Sequence, residues 1–148
     1  MHLSHRGLYA LKALIHLTEA YDRGLVKIHT IAAEESIPEK FLEGILVTLK
    51  NARVVASQRG REGGYRLRRP PQEIRVGDVV RIVDGPLAPF GDAVELAHRV
   101  KTETRHAGLF DLLLEVRNAS AAILDNTNLA DLMARNRRLR APAGRAGA

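Results

Sequence analysis

A chain of 148 residues, 45% of them apolar, is long enough to bury one proper core. It has no cysteine, which excludes disulfides and thiolate chemistry, and no run near the roughly 18 apolar residues of a membrane span. The formal charge of +6 is unevenly placed: residues 50–75 carry eight Lys/Arg against two acids, residues 135–148 add five arginines, and the rest of the chain is acidic.

The N-terminus lacks the charge-then-apolar pattern of a secretory signal, so a cytoplasmic protein is expected, with no membrane partner. From about Ser4 to Ala20, Leu8, Leu11, Leu14, Ile15 and Thr18 fall at helical spacing and predict an amphipathic first helix that stops at Tyr21-Asp22-Arg23-Gly24. Val26-Lys27-Ile28 fits a short edge strand, and a short helix is expected from near His29. The chain then breaks at Ser36-Ile37-Pro38. Beyond the break Phe41, Leu42, Ile45, Leu46 and Leu49 recur on one helical face, with Pro38 suited to the first helical position. The opposite face shows Glu39, Lys40, Glu43, Gly44 and Val47.

Next come Val54-Val55-Ala56, the stretch Ser57-Gln58-Arg59-Gly60-Arg61-Glu62-Gly63-Gly64, and Tyr65-Arg66-Leu67. This is the pattern of a β-hairpin with a long, glycine-rich, basic tip. Helix, sharp turn, second helix and basic hairpin together predict a winged helix-turn-helix, mainly α with a small β-hairpin wing, and hence double-stranded DNA as the partner. In such a fold the second helix offers its first turns to base edges in the major groove. Glu43 can accept from the cytosine amino group, and Lys40 can donate to guanine or phosphate. The competing reading of Glu39 and Glu43 is that acids near a helix N-terminus favour its dipole without touching DNA. In the hairpin, Ser57 and the backbone N–H groups of Gly60, Gly63 and Gly64 can meet phosphates, beside Arg59, Arg61 and Arg66. The basic segment thus has the electrostatic footprint of a phosphate-binding surface, the plain alternative being a solvated basic face.

Pro70-Pro71 ends the hairpin, and Val76 to Val83 predicts a short, largely buried helix. Gly85-Pro86-Leu87-Ala88-Pro89 is a breaker cluster. After it, Leu109, Leu112, Leu113, Val116, Ser120 and Ile123 follow at steps of three and four, with Phe110, Leu114 and Leu124 widening the apolar surface. Such a helix is buried on two sides, one against its own domain and the other against a second subunit, so a homodimer is expected; a simple core helix is the alternative. Thr127 is the expected N-cap of a last helix, followed by a basic tail with little to bury. The expected organisation is a DNA-binding unit over 1–84, a breaker and effector segment over 85–107, a dimerisation helix and terminal helix over 108–134, and a basic flexible tail over 135–148.

Ser57-Gln58-Arg59-Gly60 with Gly63-Gly64-Tyr65-Arg66-Leu67, Ile37-Pro38 and Phe41-Leu42-Glu43, preceded by Leu3-Ser4-His5-Arg6-Gly7-Leu8-Tyr9-Ala10-Leu11 and followed by Ile74-Arg75-Val76-Gly77-Asp78-Val79-Val80-Arg81, resembles the Rrf2 family of bacterial transcription regulators from about Leu3 to Leu132. The resemblance implies that Arg59 enters the minor groove and that the long C-terminal helix makes the dimer. It also implies a departure. Many such regulators sense through an iron-sulfur cluster or a reactive thiol, held by cysteines between the breaker and the long helix. This chain has Phe90-Gly91-Asp92-Ala93-Val94-Glu95-Leu96-Ala97-His98-Arg99 there, and a cluster depends chiefly on thiolates. No cofactor is therefore expected. Asp92, Glu95, His98 and His106 are candidate metal ligands or plain solvated residues, and the sequence identifies no small-molecule effector. The expected function is a sequence-specific, non-enzymatic DNA-binding transcription regulator, a dimeric repressor on a pseudo-palindromic operator. The alternatives are a non-specific architectural nucleic-acid-binding protein or a nucleic-acid-processing enzyme.

Overall fold

The computed structural model describes residues 2–142. Its first helix, α1 (His5–Glu19), starts where the Ser4 hydroxyl accepts from the Gly7 N–H at 2.9 Å, the arrangement that satisfies an otherwise orphaned helix donor. After a 3₁₀ turn at Tyr21–Arg23 come α2 (Ile28–Glu35) and α3 (Glu39–Asn51). Ser36, in the left-handed conformation at φ 54°, reverses the chain between them, and the Ile37 N–H donates to the Ala32 carbonyl at 2.9 Å. Pro38 stands one place earlier than the spacing implied: it is the N-cap of α3, its carbonyl accepting from the Leu42 N–H at 2.9 Å. Leu14 and Leu17 of α1, Ile31 of α2, and Leu42, Ile45, Leu46 and Leu49 of α3 are buried in one core, where each large side chain contributes roughly 1.5–3 kcal/mol over leaving it in water. Phe41 departs from this stripe. It is 44% exposed and packs edge-on against Tyr9 of α1, with ring centroids 5.7 Å apart.

Strands β1 (Val55–Gln58) and β2 (Gly64–Leu67) pair antiparallel, Val55 opposite Leu67 and Gln58 opposite Gly64. Val54, Val55 and Leu67 enter the core, so the wing is fixed at its base and projects at its tip. The expected edge strand is a single bridge: Val26 exchanges two 2.8 Å hydrogen bonds with Tyr65, and the chain then turns into α2.

Helix α4 (Val76–Asp84) buries Val76, Val79, Val80 and Val83. After the breaker, α5 (Ala93–Thr102) packs chiefly on α6 (Ala107–Asp125), with Leu96 and Phe110 buried and the Arg99 guanidinium 4.0 Å from the Phe110 ring centre. Helix α6 is tied to α4 by Arg81, which donates to both carboxylate oxygens of Asp125 at 2.7 and 2.8 Å. Gly77 makes that contact possible, since a Cβ there would lie 2.1 Å from Asp125 Oδ1. Final helix α7 (Leu129–Arg140) corrects two expectations. Its cap is Asn128 in a reciprocal capping box with Asp131, whereas the Thr127 hydroxyl donates to the Ile123 carbonyl at 2.7 Å. The helix also continues through Arg137, Arg138 and Arg140, so residues 135–140 are not a loose tail. The cap stabilises the first turn and the arginines suit the negative end of the dipole in the last. Fully buried Leu129 joins α7 to the core of the first unit. Residues 143–148 of the expected tail, including Arg145, lie outside the described residues. Among the described residues no helix is long and apolar enough to cross a membrane.

Candidate nucleic-acid interface

Helix α3 puts its apolar stripe into the core and leaves Glu39, Lys40, Glu43, Gly44, Val47 and Lys50 exposed on the other side. It is held from beneath by α1: Arg6 Nη2 donates to Thr48 Oγ1 at 2.6 Å, and Tyr9 meets Phe41. No side-chain cap closes its N-terminus, so the first-turn N–H groups are open. Between α3 and the wing runs a groove of about 470 Å³. It brings Glu43 together with Ser57, Arg59, Gly60, Gly63 and Gly64, residues 14 to 21 positions later in the sequence. The groove also takes in Val47, which the sequence had put on the reading face of the helix, and Lys27, His29, Lys50 and Gln58, none of which the sequence had marked as a site residue. The signal available for them was only their charge or exposure at the start of α2 and along α3, which becomes informative once the wing is folded beside them.

Glu39, Lys40, Arg61 and Arg66 lie outside that groove, all exposed. Arg66 is on β2 opposite Ala56, and Arg61 is at the tip, where its carbonyl accepts from Lys27 Nζ at 2.5 Å. That bond ties the wing tip to the start of α2. Gly63 corrects an expectation: its N–H is not free for a phosphate but donates to the Gly60 carbonyl at 3.0 Å, closing the tip on itself. The site admits only glycine, because a Cβ would sit 2.2 Å from the Gln58 carbonyl oxygen. Gly64 is likewise pressed by the edge bridge, its Cβ position being 2.6 Å from the Val26 oxygen. Gly60, with open space around it, is the tip glycine whose backbone stays approachable.

Among the described residues, Arg59, Arg61, Arg66, Arg68, Lys40 and Lys50 have no intramolecular ion-pair partner. The wing therefore keeps a net positive field, as a surface that displaces counterions from phosphates requires, whereas α3 sets Glu39 and Glu43 against Lys40 and Lys50. A projecting basic hairpin beside an exposed helix face can place arginine in one groove of a duplex while the helix enters the next.

The remaining predicted residues lie elsewhere. On α6, Leu109, Leu112, Val116 and Ile123 are exposed, whereas Leu113 and Ser120 are half-buried, the Ser120 hydroxyl donating to the Val116 carbonyl at 2.9 Å. Asp92 is the N-cap of α5, its Oδ1 accepting from Val94 and Glu95 N–H at 2.7 and 3.0 Å, so its carboxylate is already engaged. Among the described residues no three His, Asp or Glu side chains gather as Asp92, Glu95, His98 and His106 would have to for a metal. With no cysteine in the sequence, the donors do not fit an iron-sulfur cluster.

The profile of the Rrf2 family, described as iron-dependent transcriptional regulator, matches residues 3–135. Rv1287 of Mycobacterium tuberculosis, which carries a provisional name as an HTH-type transcriptional regulator, is 39% identical over 134 residues, spanning 89% of this chain and 81% of that protein. The HTH-type transcriptional regulator CymR of Bacillus subtilis is 33% identical over 132 residues, 89% of each. Its solved structure, that of a protein called the global cysteine regulator of B. subtilis, superposes with a TM-score of 0.76 at 31% identity over 91% of this chain and 98% of that one. The structure of T. potens IscR gives 0.74 at 26% identity over 97% and 94%.

Proposed function

The chain belongs to the Rrf2 family of DNA-binding transcription regulators, and from that premise we propose that it works as a homodimer, joined through α6, on a pseudo-palindromic operator. The supporting observation is the exposed row on α6. Leu109, Leu112, Val116 and Ile123, at steps of three, four and seven, are 53, 54, 40 and 63% exposed. With Ala119 at the missing step they form the seam of a helix pair. Large apolar side chains in a contiguous row are left to water in few soluble monomers. A two-fold axis through that seam sets two copies of the α3–wing groove at a fixed spacing, which a symmetric operator matches.

In this reading Glu43 and Glu39 face bases and Lys40 a base or a phosphate from α3, while Arg59 enters the minor groove and Ser57, Gly60, Arg61 and Arg66 meet the backbone. The protein represses: a dimer seated on a promoter blocks it, whereas activation needs a further contact. It operates in the cytoplasm and without an iron-sulfur cluster, in contrast to the iron dependence in the family description. Two measurements test the proposal. Sedimentation of the protein at micromolar concentration is expected to give a dimer, and titration of operators selected from randomised duplexes is expected to give a palindrome. A monomer that binds such a palindrome tightly, or equal affinity for random duplex DNA, refutes it. Iron and sulfide at stoichiometric levels in anaerobically purified protein refute the cluster-free reading.

A further inference from the structure

Between α1, α4, the breaker loop and α6 lies an open cavity of about 360 Å³ lined by Leu11, Val76, Val80 and Leu124 together with Asp84, and His2 stands on the same lining. The walls belong to a second, smaller apolar cluster that α4 and α6 leave incompletely filled. Its volume is within the range of small-molecule sites and far above that of a single water. A carboxylate offers about four lone-pair positions, and at Asp84 Ser4 occupies two, one through its N–H at 3.1 Å and one through its hydroxyl. Among the described residues no Lys, Arg or His side chain pairs with Asp84. Asp84 is also the last residue of α4, at the end of the helix dipole that favours cations. Asp84 is exposed, although its Oδ2 sits close against Gly7 of α1, where a Cβ would lie 2.4 Å from it.

We propose that this cavity is an effector site for a small organic ammonium, its hydrocarbon body against Val76, Val80 and Leu124 and its NH₃⁺ on Asp84. The position supports regulation as well as binding. Helix α1, which forms one wall, also carries the Arg6 bond to Thr48 of α3, and α6, which forms another, carries the exposed apolar row. The effector role rests on the regulator reading above.

The test titrates 2-phenylethylammonium, 2-phenylethanol and 3-phenylpropanoate into the full-length protein with labelled methyl groups. Saturable shifts are expected at Val76, Val80 and Leu124, about tenfold tighter for the ammonium than for the alcohol, and absent with the carboxylate. Asp84→Asn keeps an acceptor for Ser4 and is expected to make ammonium and alcohol equal. Ala88→Phe, at a half-buried loop position on the cavity, is expected to abolish both. Saturation with the ammonium is expected to change the affinity for the selected operator about fivefold or more. No saturable shift, an undiminished ammonium preference in Asp84→Asn, or an unaltered operator affinity at saturation overturns the proposal. The methyl shifts involve no DNA, so a failure of the regulator reading shows instead as absent operator binding by the ligand-free protein.

Discussion

Arg59 stands exposed at the wing tip with no intramolecular ion-pair partner among the described residues, so its removal disturbs little inside the protein. Arg59→Ala is expected to weaken operator binding by about 1–3 kcal/mol while leaving the thermal midpoint unchanged, as read by fluorescence titration beside a melting curve. Unaltered affinity at physiological salt counts against a groove contact. Glu43→Ala is expected to relax preference at one position of each half-site, whereas Lys40→Ala lowers affinity evenly and flattens the salt dependence. Selection from randomised duplexes separates the two, and identical preferences for wild type and Glu43→Ala reject Glu43 as a reader. Gly63 tests the tip differently. The Cβ of Gly63→Ala would press on the Gln58 carbonyl, a backbone group that cannot turn aside. The expected result is a wing loosened by roughly 1–3 kcal/mol and weaker operator binding with the core intact, seen as hydrogen-exchange protection lost over 56–66 alone.

At the scale of elements, the recognition helix is only as well aimed as its supports, Arg6 and Tyr9 of α1 below it and the Lys27 bond to the wing beside it. A comparable joint links α4 to α6, where the Arg81 guanidinium, hydrogen-bonded through two nitrogens, holds the Asp125 carboxyl below the usual carboxylate range. Because the folded-state value is depressed, this stabilisation is fully present above the ordinary carboxylate range and is lost as pH falls through the depressed value. Asp125→Asn keeps the shape that Gly77 accommodates and removes the charge. It is expected to lower stability by about 1 kcal/mol or less at neutral pH, the pair being partly solvated. That difference should shrink towards zero in acid when urea midpoints are compared at descending pH. A difference that stays constant into acid assigns the effect to packing.

For the whole molecule, the question is what covers α6. Val116 is 40% exposed in the chain by itself, so Val116→Glu leaves the protomer fold nearly unaffected, yet in a dimer seam it buries an unpaired charge at a cost of several kcal/mol. The variant is expected to sediment as a monomer and to retain weak half-site binding while losing tight binding to the palindrome. A dimeric Val116→Glu protein with full operator affinity places the seam elsewhere. Leu113 is a poorer probe, being half-buried against its own protomer, where a charge would disturb folding and assembly together.

Local patterns in the sequence determined the winged helix-turn-helix: the apolar stripe of α3, the break at Ser36-Ile37-Pro38 and the glycine-arginine hairpin each follow from residue type and short spacing. The charge map and the absence of cysteine were legible for the same reason, since they need no coordinates. Tertiary structure alone decided what depends on neighbours distant in the chain. It placed Lys27, His29 and Val47 in the groove with Arg59, spent the Gly63 N–H inside the tip, and turned Phe41 out to Tyr9. It also drew α7 into the core through Leu129, where composition had suggested that the arginine-rich end would be loose. A helical period says which residues share a face, but which partner meets that face is set by long-range packing and by the hydrogen bonds left over once the local structure is formed.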